Sequence, residues 1–396
     1  MTLDGTKILL GITGGIAAYK AAELARLLIK AGADVRVVMT EAATRFITPM
    51  TLQALSGQTV WTDLWDARVP DNMGHIALSR DRELIVVAPA SADFIAKLAN
   101  GLAGDLLSTL CLARRCHLMV APAMNVEMWQ SGPMRRNIAR LLEDEVLIAG
   151  PSAGDQACGE IGLGRMSEPA DLLSDIEAVF APKRLDGKRV LVTAGPTEEP
   201  VDPVRVLTNR SSGKMGFAVA RAAQEAGADV TLVSGPVSLA TPAGVKRVDV
   251  RTAEEMFEAV KRAVKACDIF LSVAAVADYH VKNPAAQKIK KGNGGVTLDL
   301  EENPDILAWV AALPNAPLCV GFAAESENLA QHAKEKLAKK KLPLIAANLA
   351  QDALGADDNA ITLYDARGEH PLGRGAKLEL ARKLLEHVAG MLPQQK

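Results

Sequence analysis

The chain has 396 residues, 49% of them hydrophobic, with 45 basic against 47 acidic side chains and a formal net charge of −2. That length exceeds one ordinary core and suggests two α/β domains of similar size. The near-neutral charge speaks against a broad nucleic-acid surface, and the lack of a long apolar run speaks against a membrane span. Five cysteines, at 111, 116, 158, 267 and 319, form an odd set lying mostly within apolar runs, which fits buried thiols better than disulfides. The opening Met1-Thr-Leu-Asp-Gly lacks the charged and apolar regions of a secretion signal, so a cytoplasmic location is expected.

Lys7 to Lys20 reads KILLGITGGIAAYK, an apolar strand, a glycine turn and a helix start. Free N–H groups and the helix dipole favour an anion there, so Gly14, Gly15 and Ile16 form a candidate phosphate site. A GxxGG turn also serves close packing of helix on strand, and both uses stay open. Ala17, Ala21, Leu24, Ala25 and Leu28 recur at helical spacing, which gives that helix one buried face. The next strand, over 35–39, ends at Thr40-Glu41 without the acidic arrangement of an NAD ribose site. GxGxxG is absent as well, and both facts speak against an NAD-linked oxidoreductase.

Apolar runs at 84–88 and 117–121 read as strands covered on two faces, and both stop in Ala-Pro-Ala. Ligands of such sheets bind at the carboxyl edge, where Thr40, Ser91, Met124 and Asn125 would meet the Gly14 turn. The stretches GGIAAYK, PASAD and PAMNxxMW together resemble the flavin-dependent cysteine decarboxylases, which bind FMN and act on C-terminal cysteine carboxylates. The resemblance implies a flavodoxin-like domain with FMN held by Gly14, Gly15, Ile16, Thr40, Ser91 and Met124. It also implies that Asn125 holds the substrate carboxylate or its amide neighbour and that His75, in a GHI setting, is catalytic. By itself a lone histidine in a polar loop serves structure or solvent equally.

Gly150 to Met166, GPSAGDQACGEIGLGRM, is glycine-rich with few apolar anchors and is expected to be a mobile flap. Its ACGxxGxGRM resembles the substrate-covering segment of phosphopantothenoylcysteine decarboxylases, which implies that Cys158 supplies a proton late in turnover. In that chemistry FMN takes a hydride from the carbon bearing sulfur, carbon dioxide leaves, and the hydride returns. A flavin-binding subunit without catalysis would lack the flap cysteine or the histidine, and both are present. Residues 182–187, with Pro182 and Gly187, carry the punctuation of a linker between domains 1–181 and 188–396.

The second domain opens as the first does, with KRVLVTAG from Lys188, and Ala-Gly-Ala-Asp-Val at 31–35 recurs letter for letter at 226–230. The second copy inserts roughly a dozen residues between turn and helix, longer than an ordinary strand-to-helix loop, so the insertion should lie over whatever the turn binds. Ser211, Ser212 and Gly213 then start a helix whose donors suit a phosphate, or simply cap it, and the segment is not a Walker A loop. Strands are expected at 269–273, 318–322 and 342–347, Asn303-Pro304-Asp305-Ile306 reads as cap and first helical turn, and 376–391 reads as a closing amphipathic helix. Lys334, Lys336, Lys339, Lys340 and Lys341 crowd one further helix.

TAGPTEEPxDPVR with NRSSGKMG, followed by AAVADY and KIKK, closely resembles the phosphopantothenate–cysteine ligases. That resemblance implies CTP contacts at Ser211, Ser212, Gly213, Val273, Ala274, Asp278, Lys288, Pro304, Asp305, Ile306, Phe322, Lys336 and Lys340. It also implies Mg²⁺ at Asp278, contact of Asn209 with the acyl-cytidylate, and Lys288 in the coupling to cysteine. The expected fold class is α/β, two Rossmann-like domains, each a mostly parallel sheet flanked by helices. The order decarboxylase then ligase resembles the bifunctional coenzyme A biosynthesis family. Its substrates are 4'-phosphopantothenate, L-cysteine and 4'-phosphopantothenoyl-cysteine, and its members are homo-oligomers with trimeric flavin domains and dimeric ligase domains, up to a dodecamer.

Overall fold

The apolar runs become strands because both of their faces are covered: every residue from Ile8 to Ile12 and from Leu84 to Ala90 is buried. This computed structural model describes residues 2–66, 74–157, 159–290, 296–325, 328–349, 356 and 358–393, leaving aside the side chains of residues 74, 75 and 325. The chain divides into two units, Met1–Phe180 and Ala181–Lys396. Residues 182–187 fall in the second, where Leu185 is fully buried in the core.

In the first unit, β1 (Lys7–Ile12), β2 (Asp34–Met39), β3 (Val60–Trp61), β4 (Leu84–Ala90), β5 (His117–Pro122) and β6 (Leu147–Ile148) form one sheet. Its order is β3-β2-β1-β4-β5-β6 with every pairing parallel. The direction of winding reverses between β1 and β4, and such a reversal opens a crevice at the carboxyl edge. Helices α1 (Ala18–Lys30), α2 (Pro49–Ser56) and α8 (Pro169–Phe180) cover one face, where Ile8, Leu10 and Ile12 meet Leu24, Leu28, Leu52, Leu172 and Ile176. Helices α3 (Gly74–Ser79), α4 (Ala92–Ala99), α5 (Leu106–Ala113) and α7 (Gly132–Glu143) cover the other, where Leu9 meets Phe94, Leu107 and Leu141. The helix α6 (Val126–Gln130) and a ribbon of β7 (Ser152–Asp155) and β8 (Ile161–Arg165) lie outside this frame.

The second unit repeats the plan. Its strands are β9 (Arg189–Ala194), β12 (Asp229–Ser234), β13 (Lys246–Asp249), β14 (Ile269–Ser272), β17 (Leu318–Glu325), β18 (Leu344–Leu349), β19 (Asp358–Asp365) and β20 (Gly368–Ala376). Two ribbons, β10 (Glu198–Pro200) with β11 (Val206–Thr208) and β15 (Tyr279–Val281) with β16 (Leu300–Glu302), are separate. The main order is β13-β12-β9-β14-β17-β18-β19-β20, parallel up to β18 and antiparallel beyond it. Helices α9 (Lys214–Glu225) and α13 (Lys377–Met391) cover one face through Phe217, Val219, Leu380 and Leu384. Helices α10 (Ala253–Ala263), α11 (Ile306–Ala311) and α12 (Leu329–Lys339) cover the other through Met256, Leu307 and Ala333. Each buried leucine or phenylalanine contributes about 1.5–3 kcal/mol.

The sequence echo is a structural one. Gly32 and Gly227 end their helices at φ 100° and 94°, a region closed to most side chains. Asp34 N then donates to Thr6 O at 2.8 Å and Asp229 N to Lys188 O at 2.9 Å, starting the next strand identically. One helix cap differs from expectation: Asp305, not Asn303, caps α11 by accepting from Ala308 N at 3.0 Å. Pairing of Leu300–Glu302 with β15 keeps the chain extended to Asn303, so the helix starts later. Among the described residues, no helix is long and apolar enough to cross a membrane.

Candidate functional site

In the first unit, the turn after β1 is tied to the end of β4 by Thr13, which is buried. Its hydroxyl donates to Pro89 O at 2.7 Å and accepts from Ser91 N at 2.9 Å. Thr40 N donates to Ile12 O and Ala123 N to Ala90 O, both at 3.0 Å, so Gly14, Thr40, Ser91 and Met124 all stand at one sheet edge. A Cβ on Gly14 would sit 2.6 Å from that of Ala42, so only glycine permits this approach. No side chain caps α1; Ala18 N and Lys20 N donate to Gly15 O and Ala17 O at 3.0 Å, and the helix starts at the edge beside Gly15 and Ile16. Thr40, Ser91 and Asn125 each accept from a backbone N–H one turn on and so also serve as caps.

The glycine-rich segment expected to be a mobile flap is a two-stranded ribbon anchored on the loop that carries Asn125. Met124 N donates to Gly164 O at 2.9 Å, Val126 N donates to Gln156 Oε1 at 3.0 Å, and Asn125 Nδ2 donates to Glu160. A Cβ on Gly164 would lie 2.4 Å from Met124 O, and the residue sits at φ 148°. The glycines thus permit close backbone docking. Cys158, between the two strands in sequence, lies outside the described residues, and so does the side chain of His75, whose backbone is in the first turn of α3. The other cysteines are free thiols. Burial pushes Cys111 and Cys319 up to about 12 and Cys267 to about 11, which suits inert core groups.

The second unit contains a cleft of about 810 Å³ at the carboxyl edge of its sheet. The inserted segment forms the β10–β11 ribbon, and α9 starts at Gly213, φ 74°, again without a side-chain cap. Ser211, Ser212 and Gly213 line the cleft with Asn209, Val273, Ala274, Asp278, Pro304, Asp305, Ile306, Phe322, Lys336 and Lys340. Asn209 Nδ2 donates to the carbonyls of Ala275 and Val276 at 3.3 and 3.0 Å, which fixes the amide over the strand end. Lys336 Nζ donates to Phe322 O at 3.0 Å, and Lys340 pairs with Asp305 at 2.6 Å. Burial works to raise the Asp305 carboxyl, but the bonds from Lys340 and Ala308 N and the charge of Lys336 together hold it below the usual range.

Lys288 is exposed and lies outside the cleft's lining. Its neighbour Ile289 is bound by the insertion: Ile289 N donates to Asp202 Oδ2 at 3.1 Å, Arg205 donates to Ile289 O at 3.1 Å, and Arg205 pairs with Asp202 at 2.7 Å. Sequence reasoning passed over Asn348, Asn359 and Lys377, all of which line the cleft. Lys377 opens α13 and is buried, donating to Ala356 O. It reaches the cleft only because the antiparallel edge brings it back, which no local motif signals. Gln156 and Glu160 were missed likewise, although a polar pair flanking Cys158 in a glycine-rich run was the available sign.

The Flavoprotein family matches residues 1–181, and the family described as DNA/pantothenate metabolism flavoprotein C-terminal domain matches residues 185–392. The coenzyme A biosynthesis bifunctional protein CoaBC of Vibrio cholerae is 50% identical over 393 residues, 98% of each chain. That of Escherichia coli K12 is 48% identical over 396 residues, again 98% of each. A crystal structure of the C-terminal domain of a CoaBC protein aligns at 39% identity with a TM-score of 0.46, covering 53% of this chain and 97% of that one.

Proposed function

This chain belongs to the family of coenzyme A biosynthesis bifunctional proteins, and from that premise we propose that it performs two reactions in the cytoplasm. The second unit couples 4'-phosphopantothenate to L-cysteine using CTP, and the first decarboxylates the resulting 4'-phosphopantothenoyl-cysteine to 4'-phosphopantetheine with FMN. The observation that carries the reading is the convergence of an uncapped helix start, Asn209, Lys336 and Lys340 on one cleft.

A carboxylate resists attack by an amine until it is activated, here as an acyl-cytidylate with release of pyrophosphate. The donors at Ser211 to Gly213 suit the phosphates. Lys340, exchanging Asp305 for a phosphate oxygen, and Lys336 offset the charge that develops as pyrophosphate leaves. Phe322 stacks near the base. Asn209, held by two carbonyls, contacts the acyl group, and Lys288 serves the attack by cysteine from its exposed loop. Asp278, exposed on the cleft wall near Glu302, offers the oxygen donors that Mg²⁺ prefers and would hold it there, where the ion supplies countercharge to the phosphates.

The edge of the first unit fits FMN: a cradle at Gly14 that a Cβ would fill, a helix start at α1 with no side-chain cap, and hydroxyls at Thr40 and Ser91. When bound, the flavin supplies a hydride acceptor and donor, so the electrons left by loss of carbon dioxide have somewhere to go. Asn125 orients the substrate carboxylate, His75 acts beside it, and Cys158 returns a proton as the ribbon excludes water. Ile16, Tyr19, Phe46 and Met50 are each more than half exposed, an apolar set consistent with a homo-oligomer that covers it. Trimeric flavin units and dimeric ligase units, up to a dodecamer, are measurable by light scattering.

The test is Cys158→Ala. Flavin absorbance, pyrophosphate release and amide formation are expected to stay at wild-type level while release of the final thiol stops. Unaltered thiol release would overturn the role of Cys158.

A further inference from the structure

We propose that Asp365, His370 and His387 form a binding site for one divalent transition-metal ion, zinc foremost, that clips the β19–β20 turn to α13. The three residues come from three elements: Asp365 ends β19, His370 lies two residues into β20 opposite Leu363, and His387 stands near the end of α13. Folding alone brings them together. His370 Nε2 lies 2.9 Å from Asp365 Oδ1, His387 Nε2 lies 3.0 Å from Asp365 Oδ2, and the three ligand atoms are all within 4.8 Å of one another.

The donor set and its surroundings fit such an ion. Two imidazoles and one carboxylate suit zinc, whose tetrahedral bonds of about 2.0–2.1 Å set donors roughly 3.3 Å apart. Reaching that spacing needs only small ring movements. Asp365 Oδ1 also accepts from Arg367 N at 2.7 Å and Gly368 N at 3.1 Å, the outer-shell bonds that fix a ligating carboxylate. The Asp365 side chain is 3% exposed, whereas His370 and His387 are 34% and 20% exposed, so the set opens toward solvent and an ion has an entry path. Glu369, beside His370, is held by Lys334 at 2.8 Å, and Glu386, beside His387, by Arg184 at 3.3 Å. Nitrogen donors disfavour Mg²⁺, which separates this site from the phosphate chemistry of the cleft. The cleft lies at the other ends of the same elements: Asn359 at the start of β19 and Lys377 at the start of α13 both line it. A metal here therefore braces the sheet edge that carries them.

The full chain, stripped with chelator and dialysed, is titrated with Zn²⁺ alone by calorimetry, with Co²⁺ absorption as a geometric readout. One equivalent is expected to bind and to raise the melting temperature. His387→Ala weakens binding by at least about 10-fold, as loss of a metal contact does. The double variant His370→Ala/His387→Ala loses both the equivalent and the thermal shift while still unfolding in one cooperative zinc-free transition, at a lower midpoint because Asp365 loses both imidazole partners. Asp365→Asn keeps an amide oxygen that can still accept the turn N–H bonds and ligate weakly, so the two histidine variants decide the question. Absence of stoichiometric binding, or a double variant that binds as the wild type does, overturns the proposal; the second result places the ion elsewhere and leaves the trio a plain hydrogen-bonded clip.

Discussion

Both units begin with a strand, a glycine turn and a helix without a side-chain cap, yet the ribbons added to that plan come from different parts of the chain. In the first unit Gly14 leads directly into α1, and the added segment is the ribbon of β7 and β8, more than a hundred residues later in sequence and docked on Met124. In the second the insertion in the turn folds as the β10–β11 ribbon, whose residues lie outside the cleft's lining, and lysines arrive from α12 to line the cleft. The shared start supplies donors for an anion, and the added segments set the chemistry. An edge built from backbone and hydroxyls thus sits in the same chain as a cleft lined by lysines.

The comparison breaks most sharply at Lys340. Lys340→Ala is expected to lower pyrophosphate release by about 10²-fold, within the range for removing one donor to a developing charge. Decarboxylation of supplied 4'-phosphopantothenoyl-cysteine should stay unchanged, and assays of the two half-reactions check both. The converse variant, Gly164→Ala, places a methyl 2.4 Å from Met124 O and forces the ribbon off its anchor. A displacement of about 1 Å can cost up to about 10²-fold in rate. Thiol formation should fall on that scale with pyrophosphate release intact.

A smaller effect separates the units in acid. For Asp365, burial works to raise the carboxyl, but bonds from His370, Arg367 N and His387 outweigh it and hold it at about 2. Asp81 in the first unit is likewise held at about 2, chiefly by its bond to Arg82, with Arg36 and Lys7 adding to it. Both carboxyls are depressed below their ordinary value, so each contributes stability that is complete above about pH 4 and lost as pH falls toward about 2. The Asp365 share should be the larger, because Asp81 is 40% exposed and screened. Urea midpoints across that window, with Asp365→Asn flattening the slope of the second unit and added salt flattening that of the first, measure the difference.

Much of this was legible where one residue type has one backbone use. Gly32 and Gly227 mark helix ends because their φ values exclude other residues, and the repeated Ala-Gly-Ala-Asp-Val therefore located two equivalent crossovers. The edge residues Thr40, Ser91 and Met124 were legible because buried parallel strands read as continuous apolar runs. The antiparallel edge was not: β20 contains Pro371 and three glycines, which read as turn, and proline is tolerated there only because β20 is the outermost strand. Missing β20 hid Lys377 and the Asp365 cluster, since both arise from long-range pairing. The pairing of β7 with β8 was not legible for a related reason, as its glycines serve close docking on a segment distant in sequence.

The central claim is that one chain holds two independent sites joined by a diffusible amide. Mixing Lys340→Ala with Gly164→Ala, each nearly inactive for the whole sequence, and supplying CTP, cysteine and 4'-phosphopantothenate tests it most directly. The account predicts that the mixture recovers thiol production, because each protein contributes the site the other lacks. A mixture no more active than its components, with both half-reactions intact when assayed alone, would contradict it.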